Sequence, residues 1–136
     1  MPKIEVETTE ARVGSRYAPP HNLPCKDVSY RKLSDGAGLT QFGVNLKRIP
    51  PGQWSSQRHW HLLEDEFVWI LAGEVVLVTD EGEQVLRAGD CAGFPAGVAN
   101  GHHLQNRSTT EATVLEMGSR HADETCVYPD VGGLPY

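Results

Sequence analysis

Between residues 28 and 117, short apolar runs alternate with clusters of Gly, Pro, Asp and Ser, a rhythm that predicts strands joined by turns. Residues 28–33 form the first strand, stopped at Ser34-Asp35-Gly36. Residues 39–49 alternate, setting Phe42, Val44 and Leu46 on one face against Gln41, Gly43, Asn45 and Lys47 on the other. Pro50-Pro51-Gly52 ends that run. Residues 66–71 and 74–79 are β-branched and aromatic and meet at Ala72-Gly73, and Asp80-Glu81-Gly82 then turns the chain into residues 83–86. Residues 91–94, 102–106 and 112–117 complete the set, with Pro95-Ala96-Gly97 stopping the first of these. No segment carries a helical period of useful length. Eight or more short strands at regular spacing predict an all-β fold, an antiparallel β-barrel or jelly-roll sandwich.

The flanks read differently. Residues 1–26 are polar and contain Pro19, Pro20 and Pro24, each of which keeps the preceding residue out of the α region. They predict an extended arm, whose first ten residues either cross a neighbouring sheet or trail as a loose tail. Residues 118–136 have no strong pattern, but Val127, Tyr128 and Leu134-Pro135-Tyr136 give them something to dock with, on the barrel or on a partner subunit. The expected organisation is an arm (1–26), a barrel (27–117) and a docking tail (118–136).

With 136 residues the chain suits one domain that buries its core without a disulfide framework. A net charge of −6 with no Lys- or Arg-rich cluster repels phosphate backbones, which argues against a nucleic-acid partner. No apolar run approaches the ~20 residues that a membrane span needs. The opening MPKIEVETTEARVGS lacks the basic-then-apolar pattern of a signal peptide, so the expected compartment is cytoplasmic. Cys25, Cys91 and Cys126 are far apart and form no CxxC pair. They are expected as reduced thiols, a Cys25–Cys126 bridge being the competing reading, and Cys91 is expected in the core.

The chemistry concentrates at His59-Trp60-His61. Strand side chains alternate, so histidines two apart aim at one point while Trp60 faces away, and Glu66, opening the next strand, can bring a carboxylate to it. Two imidazoles and a carboxylate suit Fe(II), Mn, Ni, Co or Zn. Beyond Glu66, Val68 and Ile70 share its face, whereas Phe67 and Trp69 point outward, as a sheet-on-sheet contact between two copies would require.

These residues fall in a wider pattern. Gly52, six residues, His59-Trp60-His61, four residues, Glu66, six residues and Gly73 resemble the first motif of the cupin superfamily. Gly89, five residues, Pro95-Ala96-Gly97, four residues, His102, three residues and Asn106 resemble its second. The chain departs from the family by one extra residue after Gly52 and two after Gly97. The resemblance implies a single-domain, commonly dimeric barrel in which His102 joins His59, His61 and Glu66 around one divalent metal ion. The two-residue excess leaves His103 as a competitor. Parity favours His102, because turning it inward also turns Leu104 inward and leaves His103 and Gln105 outside.

Four such ligands leave an octahedral ion two open positions. The resemblance therefore implies Lewis-acid chemistry on a small polar or anionic molecule by an isomerase, lyase or dioxygenase, sugar-phosphate isomerases being described among the relatives. A non-catalytic ligand-binding or sensing cupin is the alternative. The remaining lining is expected to be mostly apolar, with Gln41, Asn45 or Trp54 added and Lys47 as the one interior cation. Ser55, Ser56, Gln57, Glu64 and Asp65 are candidates to orient the histidines. Arg58 is expected in a rim salt bridge, and His121 and Tyr128, the candidates for an acid–base partner in isomerase or lyase chemistry, are expected instead as surface residues.

Overall fold

The computed structural model describes residues 2–132, so the expected docking of Leu134, Pro135 and Tyr136 lies outside the described residues. All eight predicted strands form, with boundaries moved by a few residues. In chain order the strands are β1 (Ala11–Val13), β2 (Ser29–Lys32), β3 (Phe42–Ile49), β4 (Trp60–His61), β5 (Glu66–Ala72), β6 (Glu74–Thr79), β7 (Gly82–Arg87), β8 (Cys91–Phe94), β9 (His103–Gln105), β10 (Ala112–Ser119) and β11 (Cys126–Val127). The α-helix among the described residues is the single turn α1 (Leu33–Gly36), and none is long and apolar enough to cross a membrane.

One antiparallel layer has the order β1-β2-β3-β10-β5-β8. The other is built from β7-β6-β9 and β4-β11, joined where isolated bridges Trp54–Gln105 and His59–His102 lay residues 54–59 beside β9. The arm adds β1 to the edge of β2, and the tail adds β11 to β4.

The register sorts the interior into rows. Ile49 faces Ala112; Lys47 faces Val114, which faces Ile70; Asn45 faces Glu116, which faces Val68; Gly43 faces Gly118, which faces Glu66. The first rows merge with Val75, Leu77, Leu86 and Leu104 from the other layer into an apolar core. Each such buried side chain contributes about 1.5–3 kcal/mol of hydrophobic stabilisation. The later rows are polar, so one end of the barrel is a packed plug and the other a site. Among the expected core residues Cys91 is an exception: it is exposed, paired with outward-facing Trp69, because it falls on the outer parity of β8. None of the cysteines is bridged, although Cys25 and Cys126 belong to one small cluster with Tyr17 and Tyr128.

Gly73 is the corner where the chain leaves one layer for the other. Its φ of +80° and an added Cβ only 2.8 Å from the Glu111 carbonyl and 2.9 Å from the Ala112 Cα make a side chain untenable there. Gly73→Ala should lower unfolding free energy by at least about 2 kcal/mol in denaturant titration. Gly36→Ala, where an added Cβ meets nothing within 4 Å, should stay within about 0.5 kcal/mol of wild type.

Candidate metal centre

The bridge between His59 and His102 carries backbone bonds in both directions, at 3.2 and 2.9 Å, and fixes their segments side by side. Strand alternation then aims His61 with His59, and Glu66 reaches the same point from the opposite layer. Its Oε2 lies 3.6 Å from His59 Nε2 and 3.7 Å from His61 Nε2, while its Oε1 is hydrogen-bonded to His102 Nε2. His59, His61 and Glu66 can offer one donor atom each within 4.8 Å of one another. Phe94 stacks on the His102 ring at a centroid distance of 3.6 Å and 6° between planes, holding it edge-on to the carboxylate.

What happens at the far side of each ring decides what the inner nitrogens can do. His59 Nδ1 faces the Gln57 carbonyl at 2.9 Å, His102 Nδ1 faces the Asn100 carbonyl at 2.9 Å, and His61 Nδ1 faces Glu124 Oε1 at 3.0 Å. Carbonyls and carboxylates only accept, so each neutral ring carries its proton on Nδ1 and turns an Nε2 lone pair inward. A carboxylate facing three such lone pairs is satisfied either by extra protons or by a cation that takes all four groups. His59, His61 and Glu66 therefore fit a divalent metal ion, and His102 adjoins them through its bond to the Glu66 carboxylate.

The electrostatics of the cluster carry the proton alternative. Burial disfavours the His61 cation, but Cys126 and then Glu66 outweigh it and push its pKa up to about 11. Burial likewise opposes ionisation of Glu66, yet its bonds to His102, His59 and His61 hold the carboxyl well below the usual carboxylate range. A metal binding here competes with protons.

The surrounding cavity, about 610 Å³, is not the apolar pocket expected from the sequence. Val68 and Ile70 do share the face of Glu66 but belong to the plug, while β3 and β10 bring in Asn45, Lys47 and Glu116. Lys47 pairs with Glu116 at 3.0 Å and donates to the Ser55 carbonyl at 3.0 Å. Of the other expected lining residues, Gln41 is exposed and Trp54 packs on His103 instead.

The structure turns His102 toward Glu66 and His103 to the other side of β9, with Leu104 in the core as parity requires. His103 is nevertheless buried, under Trp54, because residues 54–59 cover that face. Arg58 forms the expected rim ion pairs, with Asp130 and Asp80, and also holds the Gly101 carbonyl just before His102. Among the orienting candidates, Ser56 Oγ lies 3.3 Å from His59 Nδ1 and Gln57 acts through its backbone. Glu64 stands off at 3.9 Å from His61, Ser55 caps the Leu104 amide, and Asp65 binds the Ala96 amide.

Three residues around the candidate site were missed from the sequence. Glu116 could have been found from the parity of β10; Glu124 and Cys126 lie in a tail with no pattern to read. Cys126 Sγ is 3.4 Å from His61 Nδ1, so both tail residues act behind His61. His121 is exposed as expected, but Tyr128 is buried, edge-on to Tyr17 at 5.7 Å and 5.9 Å from the His59 ring.

A family model described as "Cupin domain" matches residues 45–118. No curated sequence matches the chain. Among solved structures, it is similar to a sugar phosphate isomerase of the cupin superfamily from Silicibacter pomeroyi, at 46% identity and TM-score 0.93 over 96% of this chain and 83% of that one. A candidate sugar phosphate isomerase from Acidithiobacillus ferrooxidans matches at 31% identity and TM-score 0.73, over 76% and 66% of the two chains. A polyketide cyclase from Streptomyces resistomycificus shares the fold at 18% identity and TM-score 0.76, over 100% and 90%.

His103 supplies a pH test independent of metal. Its Nδ1 donates to the Ser56 carbonyl at 2.8 Å, and burial, with Arg58 adding to it, pushes its pKa down to about 4. A histidine whose folded pKa lies below its unfolded value stabilises the fold above about pH 6.5 and loses that contribution as pH falls toward 4. The stability difference between wild type and His103→Gln should therefore shift by about 3 kcal/mol against wild type between pH 7 and pH 4, measured by denaturant titration of chelator-treated protein.

Proposed function

The chain belongs to the cupin family, and from that premise we propose that it is a metal-dependent enzyme acting on a small polar or anionic molecule. His59, His61, Glu66 and His102 would hold one Fe, Mn, Ni, Co or Zn ion. The observation that carries this reading is the set of three imidazoles whose Nδ1 atoms are all occupied by acceptors and whose Nε2 atoms all face one carboxylate. The ion would supply a Lewis acid that polarises a substrate carbonyl or hydroxyl oxygen.

Among isomerase, lyase and dioxygenase chemistry, isomerisation of a phosphorylated sugar has the best support. The relative at 46% identity is named for it. Isomerisation also needs a group that moves a proton between neighbouring carbons, and Glu116 is a carboxylate in the cavity beside the ligands. Lys47 would hold Glu116 in place through their 3.0 Å pair. Glu124 would fix the tautomer and direction of His61.

The outward face of the six-stranded layer presents Phe42, Trp69 and Leu71, each nearly half exposed, and we take it as the homodimer surface. Trp69→Glu should convert a dimer to a monomer in sedimentation velocity without loss of the folded spectrum.

Elemental analysis of untagged protein should find about one transition-metal ion per chain. His59→Ala and Glu66→Gln should empty the site, and Glu124→Gln should weaken metal affinity by roughly 10–100-fold. Interconversion of aldose and ketose phosphates, followed by NMR, should require the metal and fail in Glu116→Gln with metal retained. Protein that lacks metal irrespective of His59 would contradict the metal reading, and stoichiometric metal with sugar-phosphate binding but no turnover would favour a sensor.

A further inference from the structure

Beside the ligand cavity lies a second cavity of about 300 Å³, and the two share Asn45, Lys47 and Ser56 as a common wall. Their charges differ in sign. The ligand cavity contains Glu64, Glu66, Glu116 and Glu124, whereas the second is lined by Arg16, Lys32 and Lys47 and by no carboxylate. In a chain of net charge −6, a cavity lined by cations without a carboxylate is a local reversal, although Lys32 also borders a further cavity with Glu64, Asp65, Glu66 and Glu116.

The backbone explains how the cations come to be there. β2 pairs with β3 so that Tyr30 faces Lys47 and Lys32 faces Asn45, which puts Tyr30 and Lys32 on the inward side of the layer. Arg16 is an exposed residue of the arm that lies between two anchored neighbours. Gly14 donates to the Val28 carbonyl at 2.8 Å, and Tyr17 is buried with its hydroxyl accepting from the Gln57 amide at 3.3 Å. Lys47 is paired with Glu116, but among the described residues neither Arg16 nor Lys32 has an ion-pair partner. Asp35, on which the charge of Lys32 acts, is already bound by Arg120 at 2.5 Å.

We propose that Arg16 and Lys32, with Tyr30 beside them, form a phosphoryl-binding subsite for the far end of a substrate whose near end lies at His59, His61, Glu66 and His102. This rests on the metal-site reading for the near end only. A molecule with a chelating polyol or carbonyl at one end and an anion at the other matches the divided cavity. The arm would then be a substrate-binding element as well as the edge of a sheet.

The test uses inorganic phosphate as the probe, titrated calorimetrically at fixed ionic strength into chelator-treated and metal-loaded protein. Wild type should bind phosphate in both forms, and Arg16→Gln/Lys32→Gln should weaken it by roughly tenfold or more in both. Metal content and melting temperature should be unchanged in that variant. Arg12→Gln, an exposed cation of β1 outside the cavity, should bind phosphate like wild type. Phosphate bound only by metal-loaded protein, or equally well by the double variant, would overturn the subsite. Acetate bound as tightly as phosphate would assign it to a carboxylate and overturn the phosphoryl assignment. Loss of the metal-site reading would appear separately, as metal-free wild type whose phosphate binding still depends on Arg16 and Lys32.

Discussion

Burying a carboxylate costs several kcal/mol unless its oxygens are met by charge or by donors, and Glu66 sits mostly out of solvent among three imidazoles whose inner nitrogens meet it as lone pairs when the rings are neutral and as donors when they are protonated. Those lone pairs point inward because Gln57, Asn100 and Glu124 occupy the outer nitrogens. Apolar surroundings would make such a cluster untenable, and protons alone would make it dependent on pH. A divalent ion, as proposed, would resolve both conditions at once by giving the four donors one partner. Much of the polar end of the barrel follows from that requirement, including the tail, which places Glu124 and Cys126 behind His61 and Tyr128 beside His59.

The barrel provides for this by dividing its interior along the strands. The same inward parity that delivers Glu66 delivers Val68 and Ile70 two and four residues later, so one strand supplies both a ligand and a plug. β10 runs the other way, from Ala112 and Val114 to Glu116, and β3 from Asn45 and Lys47 to Ile49. Hydrophobic burial is thereby concentrated at the end away from the candidate site. The stability needed to hold the site rigid comes from rows that never touch a ligand.

Much of this was legible in the sequence because period-two alternation fixes which face a residue occupies. His59 with His61, Glu66 with Val68 and Ile70, and Asn45 with Lys47 all follow from it. The motif glycines were legible for a related reason: Gly52, Gly73, Gly89 and Gly97 all adopt positive φ at turns. Parity also chose correctly between the directions of His102 and His103. It could not say that His103 would be covered, because that depends on residues 54–59 crossing β9, a long-range pairing with no local signature. Glu124, Cys126 and Tyr128 were hidden for the same reason, since a two-residue strand such as β11 leaves no periodicity to detect. The expectation of an apolar cavity failed because it extrapolated from β5 alone, while the polar wall comes from β3 and β10.

X-ray absorption spectroscopy of the metal-loaded protein tests the central claim most directly, because it counts imidazoles around the ion without reference to turnover. The four-ligand account predicts nitrogen and oxygen neighbours at about 2.0–2.2 Å, with outer-shell scattering from three imidazoles in wild type and two in His102→Ala. His103→Ala should leave the spectrum unchanged. Sulfur in the inner shell, fewer than three imidazoles in wild type, or a spectrum that responds to His103 and not to His102 would contradict it.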